Sequence, residues 1–431
     1  MRGISCIIEY LSAVIRISFI FVFALLLPRL FLLYIAKPPS FGVTTQTEFK
    51  LGLENITTDF LKSLTKRYDL SYSAALVTNQ TGTDQQGNRN IDLLCKKGVH
   101  LKKIFTPEHG FLSGVQTLEM PNSTIDNIPI IPLYNKEGAK KLGVKELGDI
   151  EVIFFDVQDA GMRHYSYLIT LLNILEVSAI YNKKIVILDR PNLLGPYMEG
   201  ALVATQSQQD EVPIPVRYGM TVGELAQYFN KHVLKKPAVL YVVPMQNYDR
   251  HTQSRTLISQ LSPNLSSIDS CYGYSFLGLL GEVAPFDIGV GTDRAFQCIL
   301  LPESVKFSQE GWYELQSKLN AIGIHSKRYH YMSSRKKERC TGLQLSIRDI
   351  DSFSSFNALL TVLRFFKQAG VKLSFSERFD QAIGTPQVRN FIEGNIDQVS
   401  FENTINRELK MFFNKASSSF IYRPVPKLVM V

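Results

Sequence analysis

The chain has 431 residues, 45% of them hydrophobic and 20% charged, with a net charge of +8. That length suits two domains, and the apolar content supplies a large core, which excludes a disordered chain. Its lysines and arginines are spread out except in Ser334-Arg335-Lys336-Lys337-Glu338-Arg339. No RNA-binding aromatic signature or zinc-finger spacing accompanies that cluster, so nucleic acid is not an expected partner. It reads as a solvated loop, or as a patch for acidic polymers and anionic surfaces.

At the N-terminus, Arg2 and Arg16 precede an apolar run over 17–27, the order of a charged n-region and an h-region. Apolar character resumes over 30–36 after Pro28-Arg29, so a bilayer span is within reach, with Arg29 costly at mid-membrane. Residues 1–44 therefore read as a signal peptide or membrane anchor with its linker, cleavage being left open. The protein is expected outside the cytoplasm. Five scattered cysteines contain no Cys-x-x-Cys pair, which excludes an obvious zinc or thioredoxin-like site and leaves disulfides open.

Apolar residues at helical spacing predict a helix over 49–68. Ala74-Ala75-Leu76-Val77 is a short buried strand ending in the polar turn Thr78-Asn79-Gln80-Thr81-Gly82. A second strand over 99–105 delivers Thr106-Pro107-Glu108-His109-Gly110, where the glycine frees the backbone to turn. The strand over 150–155 stops at Asp156-Val157-Gln158-Asp159, and the strand over 184–188 runs into Asp189-Arg190-Pro191-Asn192. Short apolar strands alternating with helices predict an α/β fold, a Rossmann-like N-terminal domain with a parallel sheet over 45–255. No Gly-x-Gly-x-x-Gly follows any strand, so no dinucleotide cofactor is expected. Thr221 with Glu224 reads as the capping box of a helix over 221–233. Beyond about residue 255 a glycine-rich stretch opens at Ser262-Pro263-Asn264, followed by strands over 297–301 and 342–347 and helices over 353–369 and 401–414. That rhythm predicts a smaller α+β C-terminal auxiliary domain over 256–431.

The chemistry concentrates at strand ends. Ligands and catalytic groups gather where parallel strands give way to loops. Glu108 and His109 stand side by side at one such place. Asp156, Asp159, Arg163, His164 and Tyr165 cluster beyond the strongest strand, where paired carboxylates can bind a metal, act as acid and base, or grip sugar hydroxyls. Asp189 is placed to fix Arg190, whose planar fork suits a carboxylate or phosphate. Glu199, read alone, is an ordinary exposed glutamate. Gly-x-Ser-x-Gly and His-Glu-x-x-His are both missing, so serine and zinc hydrolysis are unsupported and no metal site is expected. Carboxylates, imidazole and tyrosine suit glycosidic hydrolysis better than redox or phosphoryl transfer.

Taken together, Thr78 to Gly82, Pro107-Glu108-His109-Gly110, Phe155 to Tyr167 and Leu188 to Asn192 resemble the exo-β-N-acetylmuramidases. Glu199-Gly200, Tyr218 to Ala226, Ser262-Pro263-Asn264 and Phe379 to Thr385 extend the likeness. The resemblance implies a cleft between two domains and removal of terminal N-acetylmuramic acid from peptidoglycan fragments, without a cofactor. It implies that Glu108 is the leading catalytic carboxylate, with His109 and Glu199 in the catalytic set. Asn79, Asp156, Asp159, Arg163, Tyr165, Asp189, Arg190, Asn192, Asn264 and Glu282 become substrate-binding walls, an arginine suiting the lactyl carboxylate. One segment departs. Where typical members carry a glutamate and an arginine, this chain has Ile288 and Val290, leaving Glu282, Asp287, Asp293 and Arg294 as substitutes. That departure admits a second expectation, a membrane-anchored muropeptide- or glycan-binding protein with little turnover.

Overall fold

The computed structural model describes residues 48–111, 124–135, 138–139, 142–203, 212–251, 261–347 and 350–431. Its centre is a seven-stranded sheet. In chain order the strands are β1 (Ser73–Thr78), β2 (His100–Thr106), β3 (Thr124–Ile125), β4 (Ile128–Pro132), β5 (Val152–Asp156), β6 (Lys184–Leu188) and β7 (Val239–Val243). Their spatial order is β7-β6-β5-β1-β2-β4-β3, parallel throughout except for the antiparallel β3–β4 pair. The alternation of side chains explains why these strands read as unbroken apolar runs. Ala75, Val77, Phe105, Ile153, Phe155, Ile185 and Ile187 join one core cluster, and Ala74, Leu76, Ile104, Val152, Phe154, Val186 and Leu188 the other. Both faces are covered, so neither residue of a pair is free to be polar. Burying one such phenylalanine contributes about 1.5–3 kcal/mol.

Helices α1 (Tyr167–Ile180) and α2 (Val222–His232) cover the first face. The expected capping box is present in α2, where Thr221 Oγ1 accepts from Glu224 N and Glu224 Oε2 accepts from Thr221 N at 3.0 Å. The helix expected over 49–68 is instead two short ones, Gly52–Asn55 and Thr58–Ser63. Thr57 accepts from Phe60 N and starts the second afresh, which breaks the periodic run in two.

The C-terminal part adds α3 (Ile268–Leu280), α4 (Gln309–Asn320), α5 (Ser355–Gln368) and α6 (Gln398–Ala416). It also holds a three-stranded antiparallel sheet of β8 (Cys298–Pro302), β9 (Ile324–Ser333) and β10 (Glu338–Ile347), with β10 central. The basic cluster at 334–339 lies at the turn between β9 and β10 and the start of β10. Phe49–Val431 packs as one compact unit, its main core running from α1 and α2 into α3, α4 and α5. Cys95, Cys271, Cys298 and Cys340 are free thiols. The expected signal or anchor segment lies outside the described residues.

Candidate active site

The last residues of β2 are buried up to Pro107, and the chain then surfaces at Glu108 and His109, both half-buried. His109 has φ +70° and Gly110 φ +55°, two consecutive left-handed residues, and Gly110 N donates to Pro107 O at 3.1 Å. Glycine takes that conformation freely, whereas a histidine does so under strain. The sharp reversal holds both side chains against a recess of about 140 Å³, shared with His164, Tyr165, Ser262 and Asn264. Ser166, Leu265, Tyr274 and Phe296 complete the lining.

Three stretches remote in sequence meet here. Tyr167 Oη donates to Leu261 O at 3.0 Å, Tyr165 Oη at 3.3 Å, and Gln80 Nε2 at 3.0 Å. Asn79 Nδ2 in turn donates to Tyr167 Oη at 2.8 Å, while its Oδ1 accepts from Thr81. The net pins Ser262-Pro263-Asn264 over the ends of β1 and β5. Tyr274, on α3, packs tilted against the His164 ring at 4.7 Å and edge-on to Phe296 at 4.6 Å between ring centroids.

His164 Nε2 lies 3.2 Å from Tyr274 O, and a carbonyl only accepts, so Nε2 carries the proton. Burial lowers the His164 pKa to about 4, which keeps the ring neutral at physiological pH. Burial raises the Tyr274 phenol well above its usual range, and the negative charges of Glu108, Asp159 and Glu282 push it the same way. Tyr274 is therefore a permanent hydroxyl donor, engaged with His164 O at 3.0 Å. The recess thus offers a half-exposed carboxylate, an imidazole, amide and hydroxyl groups, and aromatic walls. Such a set suits a sugar ring and acid–base chemistry at its glycosidic oxygen.

Of the expected site residues, Glu108, His109, Tyr165 and Asn264 come together, and the others lie elsewhere. Asp156 accepts from Arg190 Nε at 2.5 Å, Arg190 Nη2 at 3.0 Å and Asn90 Nδ2 at 2.8 Å, and both partners of this ion pair are buried. Asp189 accepts from Tyr422 Oη at 2.6 Å, Gly223 N at 2.7 Å and Thr221 Oγ1 at 2.8 Å, and burial raises its pKa to about 6. Asn192 bridges Met220 O and Leu194 N. Arg163 donates to Ala201 O, Ile214 O and Ala382 O, so its fork holds backbone rather than an open cleft. Asp159 accepts from Tyr218 Oη and from Gly161 N, and burial raises it to about 6. Among the described residues, no three His, Cys, Asp or Glu side chains converge on a metal position.

Glu199 is not the exposed glutamate of the sequence reading. It is 1% exposed, paired with Arg217 at 2.7 Å, and accepts from Ser354 Oγ, Ser355 N at 2.9 Å and Phe356 N at 3.3 Å. Its charge caps the N-terminus of α5, a favourable place for an anion. That role is structural and outside the recess.

The divergent segment is also apolar or occupied. Ile288 is buried beneath Gly281, and Val290 packs on the main core. Asp287 accepts from Tyr331 Oη at 2.6 Å and Ser333 Oγ at 2.8 Å. Asp293 and Arg294 pair with each other at 3.4 Å on the surface. Glu282 accepts from Ser376 Oγ at 2.8 Å and lines a neighbouring pocket. Sequence reasoning missed Tyr274, Phe296, Ser166, Ser262 and Leu265 as lining residues. Tyr274 sits in an apolar helix like any core residue. Phe296, at φ +57°, carries a turn conformation that its residue type does not advertise.

Two family models match the chain: "Exo-beta-N-acetylmuramidase NamZ, N-terminal" over residues 74–269 and "Exo-beta-N-acetylmuramidase NamZ, C-terminal" over residues 272–422. The chain is similar to the peptidoglycan beta-N-acetylmuramidase NamZ of Bacillus subtilis (strain 168), 27% identical over 405 residues, covering 90% of this chain and 95% of that one. It is also similar to the crystal structure of a DUF1343 family protein of Bacteroides fragilis, at TM-score 0.74 and 27% identity, covering 87% of this chain and 99% of that chain. A second DUF1343 protein of that organism shares the fold at TM-score 0.68 and 24% identity, with coverages of 87% and 99%.

Proposed function

The chain belongs to the exo-β-N-acetylmuramidase NamZ family, and from that premise we propose that it removes terminal N-acetylmuramic acid from peptidoglycan fragments in the recess at Glu108. One observation carries the placement: the left-handed His109-Gly110 turn presents Glu108 and His109 to a recess walled by Tyr165, Tyr274 and Asn264. In this reading Glu108 gives its proton to the departing glycosidic oxygen as that bond breaks, and water supplies the new C–O bond at the anomeric carbon and the proton that restores Glu108. His109 orients or relays at the same oxygen, and Asn264 and Ser262 hold ring hydroxyls. Tyr165 and Tyr274 supply apolar faces against which a pyranose packs. The N-terminal part, with its site at the carboxyl ends of parallel strands, is read as Rossmann-like, over 45–255, and 256–431 as its auxiliary domain.

The same proposal places the protein outside the cytoplasm, where its substrate lies, with residues 1–44 as signal or anchor. Arg2, Arg16 and the apolar run over 17–27 support this. Fractionation of cells expressing the full chain and a chain lacking those residues tests it. Recovery of both in the cytosol defeats it. For the activity, the full chain is incubated with a chromogenic N-acetylmuramide and with muramyl-terminated glycans. Release no greater than that by the Glu108→Gln protein sinks the assignment.

A further inference from the structure

A second pocket, of about 270 Å³, lies beside the segment that departs from the family pattern. Gly281, Glu282 and Val283 form one wall and Ser374 to Ser376 another, joined by the Val283–Phe375 and Ala284–Ser374 pairs and by Ser376 N donating to Glu282 O at 3.0 Å. Arg335 and Lys336, from the turn between β9 and β10, close it. Neither cation makes an ion pair among the described residues, whereas Arg294, Arg339 and Arg389 of the C-terminal part each pair with an acidic side chain. An unpaired cation couple at the rim of a pocket that Ser374 also lines is a receptor for a carboxylate.

The turn is not free to wander. Ser333 Oγ donates to buried Asp287 and accepts from Lys336 N at 3.2 Å, and Tyr331 Oη donates to the same carboxylate. Asp287 thus clamps the base of the turn and aims the two cations at the pocket. The pocket also adjoins the sugar recess through α3. Tyr274 lines the recess and Gly281 lines the pocket. Two helical turns on one face separate them, roughly 10 Å along the axis.

The geometry points to a carboxylate-binding subsite at Arg335, Lys336 and Ser374 that receives the peptide substituent of a peptidoglycan fragment whose terminal sugar occupies the Glu108 recess. This inference rests on the muramidase reading. Glu282, holding Ser376 and bearing its own negative charge, bars an anion from the deeper wall and leaves the carboxylate at the cationic rim.

The test uses the full chain and three muramyl substrates: peptide-free, bearing a short peptide with free carboxylates, and bearing the same peptide with those carboxylates amidated. Wild-type KM for the free-carboxylate substrate is expected to be about tenfold below that of the amidated one at low salt, shrinking as salt rises. In the R335A/K336A protein that ratio falls to about one. An unchanged ratio in the double variant, or no ratio in the wild type, overturns the subsite. Calorimetric titration of the Glu108→Gln protein with the two peptides alone separates this from the activity. Preference for the free-carboxylate peptide without turnover by the wild type retains the subsite and removes the muramidase reading. Turnover with no peptide preference does the reverse.

Discussion

At the end of β5, Asp156 is wholly buried and commits both oxygens to Arg190 and Asn90. At the end of β2, Glu108 is half-buried and faces a recess. The two strands lie on either side of β1 in one parallel sheet, and both end in carboxylates followed by basic or imidazole side chains. The β5 end closes on itself because Arg190, at the end of β6, reaches across to it. A buried charge must be paired, and here the partner is internal. The β2 end stays open because, among the described residues, the His109-Gly110 turn gives Glu108 no such internal partner. Chemistry on a substrate requires the second arrangement, since a fully buried carboxylate held by an internal cation is out of a substrate's reach.

The largest effect that tests this contrast is at Glu108. The Glu108→Gln protein is expected to lose about 10²–10⁴ in kcat, with a melting temperature within about 2 °C of wild type, because the side chain carries no core. Turnover on a chromogenic muramide and a thermal melt read the two together. A large drop in melting temperature would place Glu108 with the structural carboxylates.

The opposite pattern is expected at the saturated ends. Arg190→Met leaves Asp156 uncompensated, and Glu199→Gln leaves Arg217 uncompensated while weakening the cap of α5. Each is expected to lower stability by about 3–5 kcal/mol in urea unfolding, with kcat per folded molecule changed by less than about threefold. Glu199 is the sharper case. A Glu199→Gln protein as stable as wild type yet inactive would restore it to the catalytic set and undo the distinction.

The buried acids also leave a mark on pH dependence. Burial raises Asp159 to about 6, above its value in the unfolded chain, so the native state holds that proton more tightly. Its contribution to stability is complete below about pH 4 and is lost as pH rises through about 6. The Asp159→Asn protein does not titrate there. Its melting temperature relative to wild type is therefore expected to climb between pH 4 and pH 7. A flat difference across that window would mean that Asp159 is already ionised in the native protein.

How much of this was legible depends on the range of the interaction. The buried strands, the capping box at Thr221 and the turn after β2 are written in runs of a few residues, where periodicity and a single glycine decide the outcome. Strand-end polarity was legible too, as residue types. Its use was not, because Asp156 meets Arg190, and Glu199 meets Ser355, only once the sheet and α5 are assembled. Tyr274 shows the same limit from the other side. Its place in an apolar helix hides a ring that one fold-level contact, with His164, turns toward the recess. The basic turn at Arg335 and Lys336 was visible as a charge cluster, but not that Asp287 anchors it beside Glu282.

The smallest effect separates backbone from side chain at the turn that makes the difference. His109 holds φ +70°, which costs an L-residue about 1–2 kcal/mol and glycine little. His109→Ala removes the imidazole and keeps that cost, whereas His109→Gly removes both. If the imidazole serves the reaction, the two variants lose kcat alike, by roughly tenfold or more, while the glycine protein is about 1 kcal/mol the more stable. The entropy that glycine adds to the unfolded chain works against this gain, so the stability gap is the lesser readout and the matched loss of kcat the decisive one. A glycine protein that keeps wild-type turnover would show that the turn needs only a backbone able to go left-handed. Presentation of Glu108 would then be the sole duty of residue 109.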